Sequence, residues 1–104
     1  MANNDIPGLS RIEFLIMNLL VSARGEMYGL QLVDVSGGAL KRGTIYVTLS
    51  RLEDKGYISS RREAETIGGA SARRLYKTTG HGQKVYQSLA RLQAQPRLQM
   101  GFAS

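Results

Sequence analysis

The run from Gly43 to Ile58, GTIYVTLSRLEDKGYI, constrains this chain more than any other stretch. At 100° per residue, Leu49 and Leu52 fall within about 40° of Ile45 and form one apolar stripe. Gly43, Val47, Ser50 and Asp54 lie opposite, flanked by Thr44, Tyr46 and Arg51. The pattern predicts an amphipathic helix that begins near Leu40 to Thr44 and ends at Gly56. Its first half carries small, aromatic and basic groups. Its last turn carries Glu53 and Asp54, which oppose both the helix dipole and any polyanion. Tyr57–Glu63 and Ala72–Thr78 then read as two strands around a turn, Ala64–Ser71, that contains Gly68-Gly69.

Upstream, residues 1–9 read as a flexible arm. Ser10 and Glu13 have the spacing of a capping box, so a first helix is predicted from Arg11 to Ser22. Ile12, Leu15, Ile16, Leu19 and Leu20 make its stripe, and Phe14, Met17 and Val21 lie outside it. A helix apolar on more than one side is covered on more than one side, by the core or by a second subunit. A second helix is predicted from Tyr28 to Val35, stopped by Gly37-Gly38. Gly29 permits a close backbone approach. Thr78 or Thr79 caps a last helix from Gly80 to Gln95, with Val85, Leu89 and Leu92 as its stripe, and Pro96 stops it. The fold class is mostly α with a small β-hairpin: three helices, a two-strand wing and a C-terminal helix, the winged helix-turn-helix layout.

Charge is unevenly placed. The formal net charge is +6, and between Lys41 and Lys77 nine basic residues accompany four acidic ones. Most of the excess therefore sits in about a third of the chain, which suits DNA or RNA as a partner. With no cysteine, disulfides and thiolate metal sites are excluded, in keeping with a cytoplasmic setting. The apolar stretch within Phe14–Val21 is well short of the about 20 residues a membrane span needs. Met1–Asp5 has no positive n-region, so no signal peptide is expected.

The stretches Met27-Tyr28-Gly29-Leu30-Gln31-Leu32, Gly43-Thr44-Ile45-Tyr46, Leu49–Ile58 and Arg73–Gly82 together resemble the PadR family of bacterial transcriptional regulators, over roughly residues 10–92. The resemblance implies a homodimer whose winged helices bind a palindromic operator, usually as a repressor. It divides the chain into a winged-helix domain at 10–78, a dimerisation helix at 79–95 and a flexible tail at 96–104. Many members have proline after the tyrosine of the third helix, where this chain has Val47. Some small members hold flat drugs between tryptophans, and this chain has no tryptophan.

On this reading Thr44, Val47, Ser50 and Arg51 face the groove, where arginine pairs with guanine and hydroxyls meet several base edges. Tyr46 contacts phosphate, and Lys41 and Arg42 reach the flanking backbone. Of Arg61, Arg62, Arg73 and Arg74, one of each pair faces DNA, because successive strand residues point to opposite faces. The alternative for these four is a set of edge charges that block aggregation. Phe14, Met17, Val85, Leu89 and Leu92 are the expected dimer contacts. A small apolar effector between the first helix and the partner's last helix is an additional reading.

His81, the single histidine, has no nucleophile or carboxylate in sequence reach and reads as a surface residue near a cap. No phosphate loop, paired-carboxylate motif or metal-ligand spacing is present, so no catalysis, cofactor or metal is expected. The competing function is a winged helix that docks proteins without specific DNA binding. It is motivated by the heavily apolar first helix and the acidic end of the third.

Overall fold

The computed structural model describes residues 9–63 and 73–102. The chain runs α1 (Arg11–Ala23), β1 (Met27–Tyr28), α2 (Gly29–Val35), α3 (Ile45–Asp54), β2 (Ile58–Arg62), β3 (Arg74–Thr78) and α4 (Gly80–Phe102). The fold is a winged helix-turn-helix, mostly helical. The predicted turn at Ala64–Ser71 and residues 1–8 of the predicted arm lie outside the described residues. Leu9, assigned to that arm, is instead buried in the core, because it precedes the cap of α1 and packs beneath it.

Ser10 and Glu13 form the predicted box. The Glu13 N–H donates to Ser10 Oγ at 3.1 Å, and the Ser10 N–H donates to Glu13 Oε1 at 2.8 Å. The buried stripe of α1 is Glu13, Ile16, Met17 and Leu20, rotated from the predicted one. Ile12 is 40% exposed, and Leu15 and Leu19 are only partly covered. The shift follows from Glu13, a carboxylate that the capping box draws inward. Met17 has no exposed surface, so the chain's own core covers the second apolar side of α1.

The hairpin pairs Ile58 with Thr78, Ser60 with Tyr76 and Arg62 with Arg74. The two-residue strand β1 adds Met27 opposite Tyr76 and Tyr28 opposite Leu75, so the sheet has three strands in the order β1-β3-β2. Two residues are too few to show a period, and Tyr28, predicted as helix, is extended at φ −79°, ψ 154°.

α3 is shorter than predicted at its start, because a turn occupies residues 42–44. At its end, Tyr57 N–H donates to Leu52 O and Gly56 N–H to Glu53 O. With Gly56 at φ 81°, this is a Schellman cap, and it aims the chain straight into β2.

Thr79 caps α4. Its Oγ1 accepts the Gly82 N–H at 2.9 Å and donates to Gly56 O at 2.7 Å, joining the last helix to the end of α3. A Cβ at Gly82 would collide with the Tyr57 backbone, so this close approach requires glycine. α4 lies on α1, with the Phe14 and Tyr86 rings 5.0 Å apart and Tyr86 Oη donating to Asn18 Oδ1. It does not stop at Pro96. Proline removes one N–H and can kink a helix, yet here the helix runs unbroken through it to Phe102.

Candidate nucleic-acid interface

Ile45, Leu49 and Leu52 turn inward from α3 and are fully buried with Ile16, Leu20 and Leu32. That fixes what the helix presents outward. Tyr46 is 49% and Val47 54% exposed, and Thr44, Ser50 and Arg51 are exposed beside them. Thr44 is the N-cap residue, but its side chain makes no capping hydrogen bond.

The last turn of α3 is anchored on both sides. Glu53 accepts the Ser60 hydroxyl of β2 at 2.8 Å. Two residues on, Lys55 donates to the buried Glu13 of α1 at 2.7 Å. The acidic end that seemed to oppose a polyanion is thus engaged by the wing.

Tyr46 crosses in front of α2. A Cβ on Gly29 would lie 2.6 Å from Tyr46 Cε1 and 2.9 Å from Cζ. The ring rests on the backbone of α2, so the predicted close approach at Gly29 is the seat of Tyr46. Its hydroxyl edge borders a groove of about 640 Å³ lined by Tyr28, Asp34, Tyr46, Tyr76, Arg73 and Arg74.

The strand register sorts the wing arginines. Residues paired across an antiparallel sheet share a face. Arg62 and Arg74 lie on the face of buried Ile58 and Tyr76, the side of α3. Arg74 donates to Ser60 Oγ at 3.0 Å, which places it next to the Ser60–Glu53 bond. Arg61 and Arg73 lie on the other face. Arg61 makes a two-pronged contact with Glu26, Nε to Oε2 at 2.7 Å and Nη2 to Oε1 at 2.8 Å. The hydrogen bond from Arg61 holds the Glu26 carboxyl below its ordinary range. Arg73 sits 5.0 Å over the Tyr28 ring, whose hydroxyl donates to Glu63 at 2.7 Å. That bond to a carboxylate pushes the Tyr28 phenol up. Sequence reading missed Glu26, Ser60 and Glu63 as partners of the wing, since a pairing 35 residues apart, as between Glu26 and Arg61, leaves no local pattern. Lys41 and Arg42 are exposed at the turn before α3.

The expected dimer contacts divide. Met17 and Leu89 are buried within this chain, which takes them off any face open to a second subunit. Phe14 and Val85 are partly buried against the core, and Leu92 is 60% exposed. His81 is exposed, with its ring 5.1 Å from that of Tyr57. Among the described residues no cluster of three or more His, Asp or Glu could hold a metal. Nor is any helix among them long and apolar enough to cross a membrane.

A helix held this way beside a two-strand ribbon, with its N-terminal half projecting, is how winged helix-turn-helix proteins are built. Within that class the chain belongs to the transcriptional regulator PadR-like family, whose model matches residues 16–88. Solved structures agree. A PadR family regulator from Eggerthella lenta DSM 2243 is 28% identical, with a TM-score of 0.70 over 88% of this chain and 81% of that one. One from Clostridium difficile R20291 is 25% identical, with a TM-score of 0.68 over 91% of this chain and 100% of that one. Bacillus subtilis PadR, solved in complex with operator DNA, shares the fold at 22% identity and a TM-score of 0.67. That match covers 77% of this chain and 46% of the Bacillus protein. No curated protein sequence matches the chain.

Proposed function

We propose that the chain is a dimeric, sequence-specific DNA-binding regulator of the repressor type. The observation that carries this reading is the exposed outer face of α3 with its N-cap, Thr44, Tyr46, Val47, Ser50 and Arg51, anchored behind by Glu53 and Lys55. A helix inserted by its N-terminal residues places such side chains at base edges and phosphates. Lys41, Arg42, Arg62 and Arg74 supply charge for the flanking backbone. The Bacillus relative is solved in complex with operator DNA, and double-stranded DNA is the proposed ligand here.

The dimer is proposed on α4. Beyond Leu89, which is buried in the core, it continues to Phe102, about 20 Å further. A helical extension of that length is marginal in water alone and gains stability from a partner. Exposed Leu92 begins the contact surface. An effector would be small, since the cavity by Leu9, Phe14 and Leu89 measures about 180 Å³, below the usual size of ligand pockets.

The features that favour a protein-docking module have other uses in this fold. The apolar side of α1 fills the core, and Glu53 holds Ser60. A gel-shift titration with the chain's own upstream DNA against bulk competitor at physiological salt tests the proposal. Retention of the upstream complex is expected. Displacement in proportion to competitor mass would sink specific binding, and a stoichiometric protein partner without DNA affinity would favour docking.

A further inference from the structure

α3 has a cleft on each flank. The wing-side groove already described contains Asp34 in its lining. The opposite cleft, about 290 Å³, lies between the start of α1, the α2–α3 turn and the side of α3 that carries Ile45, Thr48 and Arg51. Ser10, Ile12, Lys41, Thr44, Thr48 and Arg51 line it, and no carboxylate does. The nearest acidic side chain of α1 on the core side, Glu13, is buried and taken by Lys55.

Its two cations differ from three of the four wing arginines. Arg61 is bound to Glu26, Arg74 to Ser60, and Arg73 lies over Tyr28. Neither Lys41 nor Arg51 makes an ion pair or side-chain hydrogen bond among the described residues. Two exposed cations therefore converge on a concave, carboxylate-free surface, with the unused Thr44 hydroxyl beside them. Like charges held together in this way repel unless an anion joins them.

A major groove about 12 Å wide admits one helix about 10 Å across, so each flank of the helix faces a different sugar–phosphate strand. We propose that the α1-side cleft seats a backbone phosphate of the strand opposite the one facing the wing. Lys41 and Arg51 are its charged ligands and Thr44 its neutral one. This inference rests on the DNA-binding reading and revises one part of it. Arg51 anchors backbone rather than reading guanine, and base choice falls to Val47 and Ser50 on the outer face.

The experiment measures affinity of the full chain and of Arg51→Gln, Arg51→Lys and Lys41→Gln for upstream DNA and for a random duplex of equal length, across a salt series. Each Gln variant is expected to weaken both duplexes by a similar factor, and to lower the salt slope by about one per site. Arg51→Lys is expected to restore most of the loss, since a phosphate accepts a point charge where a guanine edge requires the guanidinium fork. On upstream DNA with single neutral methylphosphonates, the Arg51→Gln penalty should vanish at one linkage. A penalty at least tenfold larger on upstream than on random DNA, unrescued by Lys, would make Arg51 a base reader and overturn the proposal. Unchanged affinity and slope in both Gln variants would place the cleft off the DNA and overturn it too. If the full chain fails to prefer upstream DNA, the specific-regulator reading falls. The random-duplex slopes still decide the cleft.

Discussion

Glu13 and Lys55 meet at 2.7 Å, and this one pair connects the cap of α1 to the end of α3. The same Glu13 oxygen also accepts the Ser10 N–H. The start of the first helix and the tilt of the third are thus set by a single carboxylate whose side chain is only 4% exposed.

Removing the two partners should have unequal effects. Lys55→Met leaves a buried carboxylate with one backbone donor and should cost about 2–3 kcal/mol. Glu13→Gln keeps an acceptor for the cap and removes one contact of a lysine whose side chain is 39% exposed to water, at about 1 kcal/mol. Urea unfolding of both variants checks the order, and equal losses would mean that the pair does not act as described.

Gly29→Ala should separate stability from binding. Gly29 opens α2, where alanine is the better helix former by about 0.5–1 kcal/mol. The new methyl meets the ring of Tyr46, which can swing outward because it is half exposed. The melting temperature is therefore expected to hold or rise slightly, while affinity for DNA falls as Tyr46 leaves its seat. A stable variant with unchanged affinity would show that the position of Tyr46 is immaterial to binding.

Much of this arrangement is legible in the sequence because its determinants are local. The Ser10–Glu13 box, the Gly56 stop and the Ile45–Leu49–Leu52 stripe each lie within a few residues, and each stands where its spacing puts it. The departures are tertiary. Ile12 sits on the apolar stripe by spacing but is displaced outward once Glu13 is drawn in to Lys55. β1 exists because β3 offers it an edge, and Met27-Tyr28 alone carries no strand period. Pro96 reads as a stop from the residue alone, whereas the backbone of α4 continues past it. The alternation of a strand predicts that Arg61 and Arg62 part ways, but only the register with buried Tyr76 says which of them faces α3.

Acid should loosen the outer face of the wing before the core. The carboxyl of Glu26 lies below its ordinary value, chiefly because Arg61 donates to it. A group whose folded pKa is depressed contributes stability that is present above its unfolded value. That stability is lost as pH falls through the folded one. Protection of the β2 amides near Arg61, measured relative to the intrinsic exchange rate at each pH, is therefore expected to fall below about pH 4.5, the ordinary value for this carboxyl, while α1 and α3 stay protected. Glu26→Gln should reproduce the lower protection at neutral pH and abolish the acid dependence of that protection. Identical pH profiles for both proteins would remove Glu26 from this role.

The wing arginines should divide by face rather than by position in the sequence. Arg62 and Arg74 share the face of α3, whereas Arg61 is engaged by Glu26 and Arg73 by Tyr28 on the other side. If the α3 face lies against the duplex, Arg62→Ala and Arg74→Ala each remove a phosphate contact. Each should lower the salt slope by about one, with affinity falling roughly tenfold at physiological salt. Arg61→Ala should change affinity less than about threefold, because the charge it removes acts from a distance through a screening solvent. Arg73→Ala should fall between Arg61→Ala and the α3-face pair, because Arg73 also lines the groove beside Tyr46 and Arg74. Arg74→Ala carries an added effect, since it also releases the Ser60 hydroxyl that anchors Glu53. Its loss should therefore exceed that of Arg62→Ala in specificity as well as in affinity. Fluorescence anisotropy on the four variants reads all of this. Equal losses at Arg61 and Arg62 would mean that the hairpin enters the minor groove edge-on, with both of its faces against DNA.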